Sequence, residues 1–198
     1  MPDPRSRSDE RGLTVVELVV TMAVLAVVVP MALTLLDTVQ RGVVAQQSRS
    51  DSTDQARLAA QQVDRQIRSG NVLYQPESGG MSLRVYTQAN ASQKCVQWRV
   101  LGRQLQWRSW TTTWLVDGDV SPWRVAADDV VNANVVPPVP VFALDTSQVE
   151  FGQRIMRVSI LVNDSERAGR PVRIDLSVTG RNTQSGSAAS ACSDVPPA

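Results

Sequence analysis

The chain has 198 residues, with 20 lysine and arginine residues against 19 aspartate and glutamate residues, and 42% of its residues are hydrophobic. These values predict one domain besides the membrane segment and exclude a strong electrostatic partner. Histidine is absent, which removes the commonest general base and metal ligand.

The first predicted element is an apolar helix at residues 13–36, preceded by a polar leader at residues 1–12 that contains three arginines. A helix needs roughly 20 apolar residues to cross a bilayer. The arginines predict that the N-terminus stays in the cytoplasm and that the chain beyond residue 36 crosses the cytoplasmic membrane. Pro30 interrupts the run and is expected to kink the helix or to melt it locally.

One carboxylate, Glu17, lies near the start of this apolar run. A charged side chain costs on the order of 2.5 to 3.5 kcal/mol at the centre of a membrane helix, less near an end, and indicates a partner. No basic residue lies within the run. A cut between Gly12 and Leu13 would create an ammonium group at Leu13, on the helix face that carries Glu17. That amine would supply the missing cation, within one chain or between neighbouring chains.

Residues 11–20, Arg-Gly-Leu-Thr-Val-Val-Glu-Leu-Val-Val, resemble the signature of type IV prepilins and of the pseudopilins of type II secretion systems. The resemblance implies that a prepilin peptidase cuts after Gly12 and that the new N-terminus at Leu13 is methylated. It implies that Glu17 docks on the Leu13 amine of an adjacent pilin or pseudopilin subunit. It also implies that an assembly platform and its ATPase extract the apolar helix from membrane lipid into a filament core.

Two other interpretations of the N-terminal stretch stay open. An ordinary secretory signal peptide has an apolar core of about 7 to 15 residues and a small-x-small cleavage site soon after it. Residues 43–45, Val-Val-Ala, have that pattern before Gln46, but they lie far beyond a run that is too long, and Glu17 would have no explanation. A plain signal anchor is the other interpretation.

Residues 37–70 are predicted to continue the helix towards the head. Apolar residues recur there at helical spacing, at Ala56, Ala59, Ala60, Val63 and Ile67. Residues 69–71, Ser-Gly-Asn, are a candidate C-cap. Residues 46–55 are almost entirely polar, as in a solvated helix face or a short break. Residues 62–68 resemble the helix end of larger minor pilins and of J-type pseudopilins.

Residues 71–181 are predicted to form a β-rich extracytoplasmic head, because the apolar period changes there to two. The clearest hairpin joins residues 96–100 to residues 105–108 through Leu-Gly-Arg. Further alternation occurs at residues 81–86, 111–116, 149–151, 156–162 and 172–178. These stretches predict one antiparallel sheet of about four to seven strands, covered on its apolar face by the second half of the helix.

The expected fold class is therefore α+β, with a long N-terminal helix that is half transmembrane and half packed on an antiparallel head. The resemblance implies the same pilin-like arrangement. Prolines at four positions between residues 120 and 144 predict loop or edge strand. Asp117-Gly118-Asp119 could offer two oxygen ligands to calcium, but calcium takes about six or more, so a turn is the expected structure.

The only two cysteines are Cys95, at a strand start, and Cys192, in a Ser/Ala/Gly-rich tail at residues 182–198. Export favours their oxidation. A bond between them would close a loop of about 100 residues, worth roughly 4 to 5 kcal/mol when chain entropy alone is counted. It would fix a tail that is otherwise predicted to be flexible. Two free thiols are the alternative.

Five tryptophans are interleaved with arginines in the head: Trp98, Trp107, Trp110, Trp114 and Trp123. Single-stranded nucleic acid can stack on such a pattern. The near-zero net charge, and the expected place of Trp98 and Trp107 on the apolar strand face, favour core packing instead. Nucleic acid is therefore not an expected partner, and a filament or partner contact through Trp110 or Trp114 is the alternative.

No catalytic constellation is present in the sequence, since histidine, a glycine-rich phosphate loop after a strand and a G-x-S-x-G elbow are all missing. We expect no enzymatic activity, no catalytic or metal-binding residues and no cofactor. The resemblance and the size of the head predict a minor pilin or pseudopilin, in a surface or periplasmic filament of the type IV pilus or type II secretion kind, acting in initiation or at the tip. A membrane-anchored adhesin or DNA-binding surface protein is the alternative.

Overall fold

The computed structural model describes residues 14–88, 92–145, 147, 155–163, 170–180 and 190–197. The leader, the cleavage position at Gly12 and Leu13, the stretch at residues 149–151 and residues 182–189 of the predicted tail lie outside the described residues. The chain divides into two compact units, residues 1–47 and 48–198. The first contains the N-terminal part of helix α1, and the second contains the rest of that helix and the strands.

Helix α1, Val15–Arg68, is 54 residues long. It is continuous through Pro30, so the helix does not melt there, because proline removes only one backbone donor from turns that are otherwise intact. It is also continuous through residues 46–55, which are therefore a helical segment and not a break. The small-x-small pattern at residues 43–45 lies inside the same helix.

Helix α1 ends close to the predicted C-cap, but Gly70 has a different role from the one that the sequence predicts. Ser69 donates its backbone N–H to the Arg65 carbonyl at 3.0 Å. Gly70 then starts the first strand without a left-handed backbone conformation, and a Cβ there would lie 2.7 Å from a methyl group of Val85. The glycine is required because the helix end and the second strand approach each other closely.

The described strands form two antiparallel sheets, which corrects the expectation of a single sheet. The first sheet has the order β1-β2-β3-β4-β5, with β1 at Gly70–Leu73, β2 at Ser82–Thr87, β3 at Lys94–Leu101, β4 at Gln104–Thr111 and β5 at Arg124–Ala127. The second has the order β6-β7-β8, with β6 at Phe142–Asp145, β7 at Ile155–Val162 and β8 at Val172–Thr179.

The proline-containing segment at residues 120–144 explains the division into two sheets. Proline cannot donate a ladder hydrogen bond, so a strand beside it is favoured only at a sheet edge. Strand β5 is the last strand of the first sheet and β6 is the first strand of the second. The prediction of loop or edge strand for this segment is therefore confirmed, and its effect is to interrupt the ladder between the sheets.

The hairpin predicted around Gly102 is confirmed as β3 and β4. Leu101 pairs with Gln104, which leaves a two-residue loop, and Gly102 has the positive φ of 61° that such a loop requires. Trp98 and Trp107 are directly opposite each other, with ring centroids 6.1 Å apart.

The core of the second unit lies where the C-terminal half of α1 packs against both sheets. The five apolar helix residues that the spacing indicates are all at most 4% exposed: Ala56, Ala59, Ala60, Val63 and Ile67. Three alanines in this set let the helix approach the strands closely. Trp98 is fully buried in the same core and donates its indole N–H to Gln66 Oε1 at 2.6 Å. The predicted packing of this helix face on the sheet is therefore confirmed.

The further strand expected at residues 111–116 is wrong, since β4 ends at Thr111 and a short helix, α2, follows at Trp114–Asp117. The Asp117 carboxylate accepts hydrogen bonds from the hydroxyls of Thr113 at 2.6 Å and Thr111 at 2.9 Å. Gly118 ends α2 in the left-handed conformation, with φ at 69°. Together with the Asp119 backbone N–H, which donates to Asp117 Oδ1 at 2.9 Å, these local bonds form the turn expected at Asp117-Gly118-Asp119.

Candidate functional site

The N-terminal part of α1 exposes apolar side chains on all sides. Within Val15–Val44, the most apolar window is 0% buried in the structure, and the helix is long and apolar enough to cross a membrane. A helix of a globular core buries at least one face, as the second half of α1 does. The first unit therefore exposes an apolar helix that is compatible with single-pass membrane anchoring.

Thr14 and Glu17 define the start of this helix. Thr14 precedes the first helical residue, and its hydroxyl accepts the Glu17 backbone N–H at 3.3 Å, which is the geometry of an N-cap. Glu17 lies in the first turn, where the N-terminal end of the helix dipole favours a negative charge. Leu13 lies outside the described residues, so the structure neither joins its amine to Glu17 nor separates them.

Charge pairing differs between the two ends of the apolar span. Asp37 and Arg41 form an ion pair at 2.6 Å one helical turn apart. Glu17 is exposed and forms no ion pair within the described part of the chain. The carboxylate at the beginning of the span is therefore available to a cation from outside the described residues.

A second feature lies on the head, where a disulfide joins Cys95 to Cys192 with a Cα–Cα distance of 5.7 Å. Both cysteines are fully buried, and they pack with Tyr86 and Trp110 in a small cluster separate from the main core. The two cysteines that the sequence offers as a pair are thus bonded to each other. Trp110 is 1% exposed, which corrects the expectation that it could form a partner contact.

Residues 190–197, which we call the C-terminal strap, are held against the sheet by hydrogen bonds as well as by the disulfide. The strap backbone bonds to four side chains of the head: Cys192 N–H to Tyr74 Oη, Cys192 O to Arg84, Asp194 O to Trp114, and Pro196 and Pro197 O to Arg108. The tail predicted to be flexible is therefore fixed over this described part, because its carbonyls satisfy buried donors.

The strap lies beside a group that we call the arginine cluster, formed by Arg99, Arg108 and Trp123. The guanidinium carbons of Arg99 and Arg108 lie 3.6 Å and 4.4 Å from the centroid of the Trp123 ring. Gln106 accepts from Arg99 Nε at 3.1 Å, and Gln97 accepts from Arg108 at 3.0 Å and 3.2 Å. Arg99 on β3 and Arg108 on β4 each follow a core tryptophan along the strand, so both arginines lie on the sheet face opposite α1.

Burial lowers the pKa of Arg99 and of Arg108, and the charge of Arg99 lowers the pKa of Arg108 further. Arg108 is 3% exposed. Neither guanidinium forms an ion pair with a carboxylate among the described residues. The cluster is therefore a pair of like charges held by neutral acceptors and by an aromatic ring.

The alternation of Gln97 with Trp98 and of Arg108 with Trp107 was the sequence signal for this face, but it did not reveal that Trp123 joins the two arginines. Arg124 likewise lies 5.4 Å from the ring centroid of Trp107. The chain's own guanidinium groups thus contact the rings of Trp107 and Trp123.

An open groove of about 590 Å³ runs between α1 and β8. Its lining combines three apolar residues with charged and amide side chains: Arg57, Ala60, Gln61, Asp64, Arg65, Ile174, Asp175 and Leu176. Among the residues that the structure describes, no group of three or more histidine, cysteine, aspartate or glutamate side chains could hold a metal ion. No family profile, curated protein or solved structure matches the chain.

Proposed function

We propose that the chain is a minor pilin or pseudopilin subunit that is stored in the cytoplasmic membrane with its N-terminus inside and assembles into a type IV pilus-like or type II secretion filament. The observation that carries this proposal is Glu17, a carboxylate without an ion-pair partner among the described residues, in the first turn of an exposed apolar helix. A prepilin peptidase cuts between Gly12 and Leu13, and the Leu13 amine becomes the partner of Glu17 on a neighbouring subunit.

The exposed apolar helix supports this proposal through its two environments. In the bilayer, lipid covers its side chains, and in a filament the same side chains pack against the helices of other subunits. Moving a carboxylate from an interface into such a helical core is costly unless a cation meets it there. Glu17 therefore selects a neighbour whose N-terminal amine has been released by cleavage.

The head supports the same proposal by being anchored to the helix independently of the membrane. Its core includes the second half of α1, so this part of the helix and the strands fold as one unit. A subunit that is pulled from a membrane into a filament needs a head that stays folded while its apolar helix changes environment.

The processing step is tested by mass spectrometry of the N-terminus, using membrane and sheared surface fractions of the native host. We expect a chain that starts at Leu13 and carries one additional methyl group. A chain that keeps residues 1–12, or one that starts at Gln46, would show a signal anchor or a secreted protein and would refute the proposal.

The docking step is tested by Glu17→Ala, with Thr21→Ala as a matched control. Thr21 lies one turn further along, and among the described residues its hydroxyl bonds only to the Leu18 carbonyl of the same helix, at 2.9 Å. We expect both variants to be cleaved and inserted, but the Glu17 variant to be missing from sheared filaments. Normal incorporation of the Glu17 variant would contradict the docking role and would leave the evidence on cleavage unchanged.

We expect Gly12→Val to stay uncut, because the peptidase must approach that backbone closely.

A further inference from the structure

Two guanidinium groups lie against one tryptophan ring in the head, and like charges repel each other when no anion separates them. Arg99 and Arg108 both contact Trp123 in this way. Burial, and next the charge of Arg99, lowers the pKa of Arg108, and burial lowers the pKa of Arg99. The sheet holds the pair in place at an electrostatic cost that a bound anion would remove.

The two arginines differ in which donors are already used. Arg108 gives three of its nitrogens to Gln97, Pro196 and Pro197, at 2.6 to 3.2 Å, and is buried beneath the strap. Arg99 uses only Nε, for Gln106, and its side chain is half-buried. Within the described part of the chain its two terminal nitrogens have no hydrogen-bond acceptor, so their N–H groups form an open fork.

We propose that Arg99 is the centre of an oxyanion-binding site on the outer face of the first sheet, where a carboxylate or phosphate group takes the fork of its two terminal nitrogens. Trp123 fixes the plane of the guanidinium, which reduces the conformational entropy lost on binding. Arg108 contributes positive charge from below without contacting the ligand. Charge-assisted bidentate hydrogen bonds to an arginine fork are the strong and directional kind.

The site is distinct from the features that carry the proposed filament function. Glu17 lies in the first unit, whereas Arg99 lies in the second. Failure of the anion site would therefore leave the processing and docking steps unaffected. Equally, the site could be demonstrated in a chain that proved to be a simple membrane-anchored protein.

The test measures thermal unfolding of the full chain in detergent during titration with inorganic phosphate or with glutarate, against sodium chloride at matched ionic strength. We expect at least one of the two anions to raise the unfolding midpoint in a saturable way. Arg99→Gln should weaken the apparent affinity by about tenfold or more, because a charge-assisted pair of hydrogen bonds is lost. Arg124→Gln removes the same charge from the opposite face of the sheet and should keep the wild-type titration.

The two probes distinguish the source of the ligand. A response to phosphate alone assigns the site to a phosphoryl group, and a response to glutarate assigns it to a carboxylate. Arg99→Lys keeps the charge but loses the fork, so it should recover less than half of the wild-type response. The proposal is overturned if neither anion exceeds chloride, or if the response persists in Arg99→Gln.

Discussion

Glu17 and Asp117 are carboxylates in opposite environments. Hydrogen bonds from Thr113, the Asp119 backbone and Thr111 lower the pKa of Asp117 below its ordinary value of 3.8. The Glu17 backbone N–H bonds to the Thr14 hydroxyl, but the Glu17 carboxylate forms no ion pair within the described residues. The Asp117 carboxylate is satisfied inside its own turn and organises local structure, whereas the Glu17 carboxylate has no ion-pair partner among the described residues, as the proposed docking role requires.

Asp117→Asn should destabilise the head at neutral pH, since the neutral amide accepts these hydrogen bonds less strongly than the carboxylate. The folded-state pKa of Asp117 is lower than the unfolded-state pKa, so the stabilisation is present above the ordinary value of 3.8 and is lost as the pH falls through the folded-state pKa. Urea unfolding of wild type and variant from pH 7 downwards should show a difference that narrows in this acid range.

Asp119→Asn is the matched control, because the Asp119 side chain accepts no hydrogen bond in the described structure. Its stability difference from wild type should be small and should not follow the same acid profile. A pH-independent difference for Asp117→Asn would show that the carboxylate charge has no part in holding α2.

At the scale of elements, the apolar periodicity of the sequence predicted those helices and strands that bury a single face. The helix stripe from Ala56 to Ile67 and the hairpin around Gly102 were both evident, because a buried face and a tight turn each leave a local pattern. The division into two sheets was not evident, since strand pairing depends on contacts between distant segments. The prediction of a strand at residues 111–116 was wrong, because hydrogen bonds from hydroxyl groups to Asp117 stabilise a helical turn there despite the alternation of apolar and polar residues.

The candidate site was predictable to a similar extent. The position of Glu17 in an apolar run and the presence of only two cysteines are visible in the sequence itself. The partnership of Arg99, Arg108 and Trp123 joins three separate strand or loop positions, and no spacing rule connects them. The fixed strap also required tertiary information, because its hydrogen bonds come from its backbone and carry no side-chain signature.

The strap and the disulfide form one stabilising element, and removal of the disulfide tests how much the bond contributes to the free energy of unfolding. In Cys95→Ala/Cys192→Ala, we expect the free energy of unfolding to fall by about 4 to 5 kcal/mol, because the bond no longer restricts the unfolded chain. Guanidinium unfolding of the oxidised wild type and of the double variant measures this difference. The backbone amide of residue 192 bonds to Tyr74 in the wild type, and its hydrogen exchange should become faster in the variant.

The reduced wild type is the control for side-chain changes, because it keeps both sulfur atoms but loses the bond. It should resemble the double alanine variant in stability. Equal stability of the oxidised and reduced proteins would mean that the hydrogen bonds between the strap backbone and the side chains of Tyr74, Arg84 and Arg108 hold the strap without covalent help.

At the scale of the whole molecule, the chain separates its two kinds of apolar surface. In the first unit the described apolar side chains are exposed, whereas the second unit has a buried apolar core that begins at Ala56 and leaves a few side chains, such as Val116 and Val136, exposed. A globular protein gains its stability from the second kind, and the first kind contributes only when lipid or another helix covers it. Folding of the head and placement of the helix are therefore expected to be independent events.

A fragment of residues 48–198 tests this independence. All buried core residues of the described structure lie within it, and it keeps both cysteines, so we expect it to be soluble without detergent when produced under oxidising conditions. Its thermal unfolding should be cooperative, with a midpoint within a few degrees of the head transition of the full chain in detergent, since no described core contact is lost. A fragment that starts at residue 62 is the comparison, because it lacks Ala56, Ala59 and Ala60 and should lose cooperative unfolding as the sheet face becomes exposed. Non-cooperative unfolding of the longer fragment would show instead that the head depends on the apolar helix, and that the membrane or filament is part of its folding.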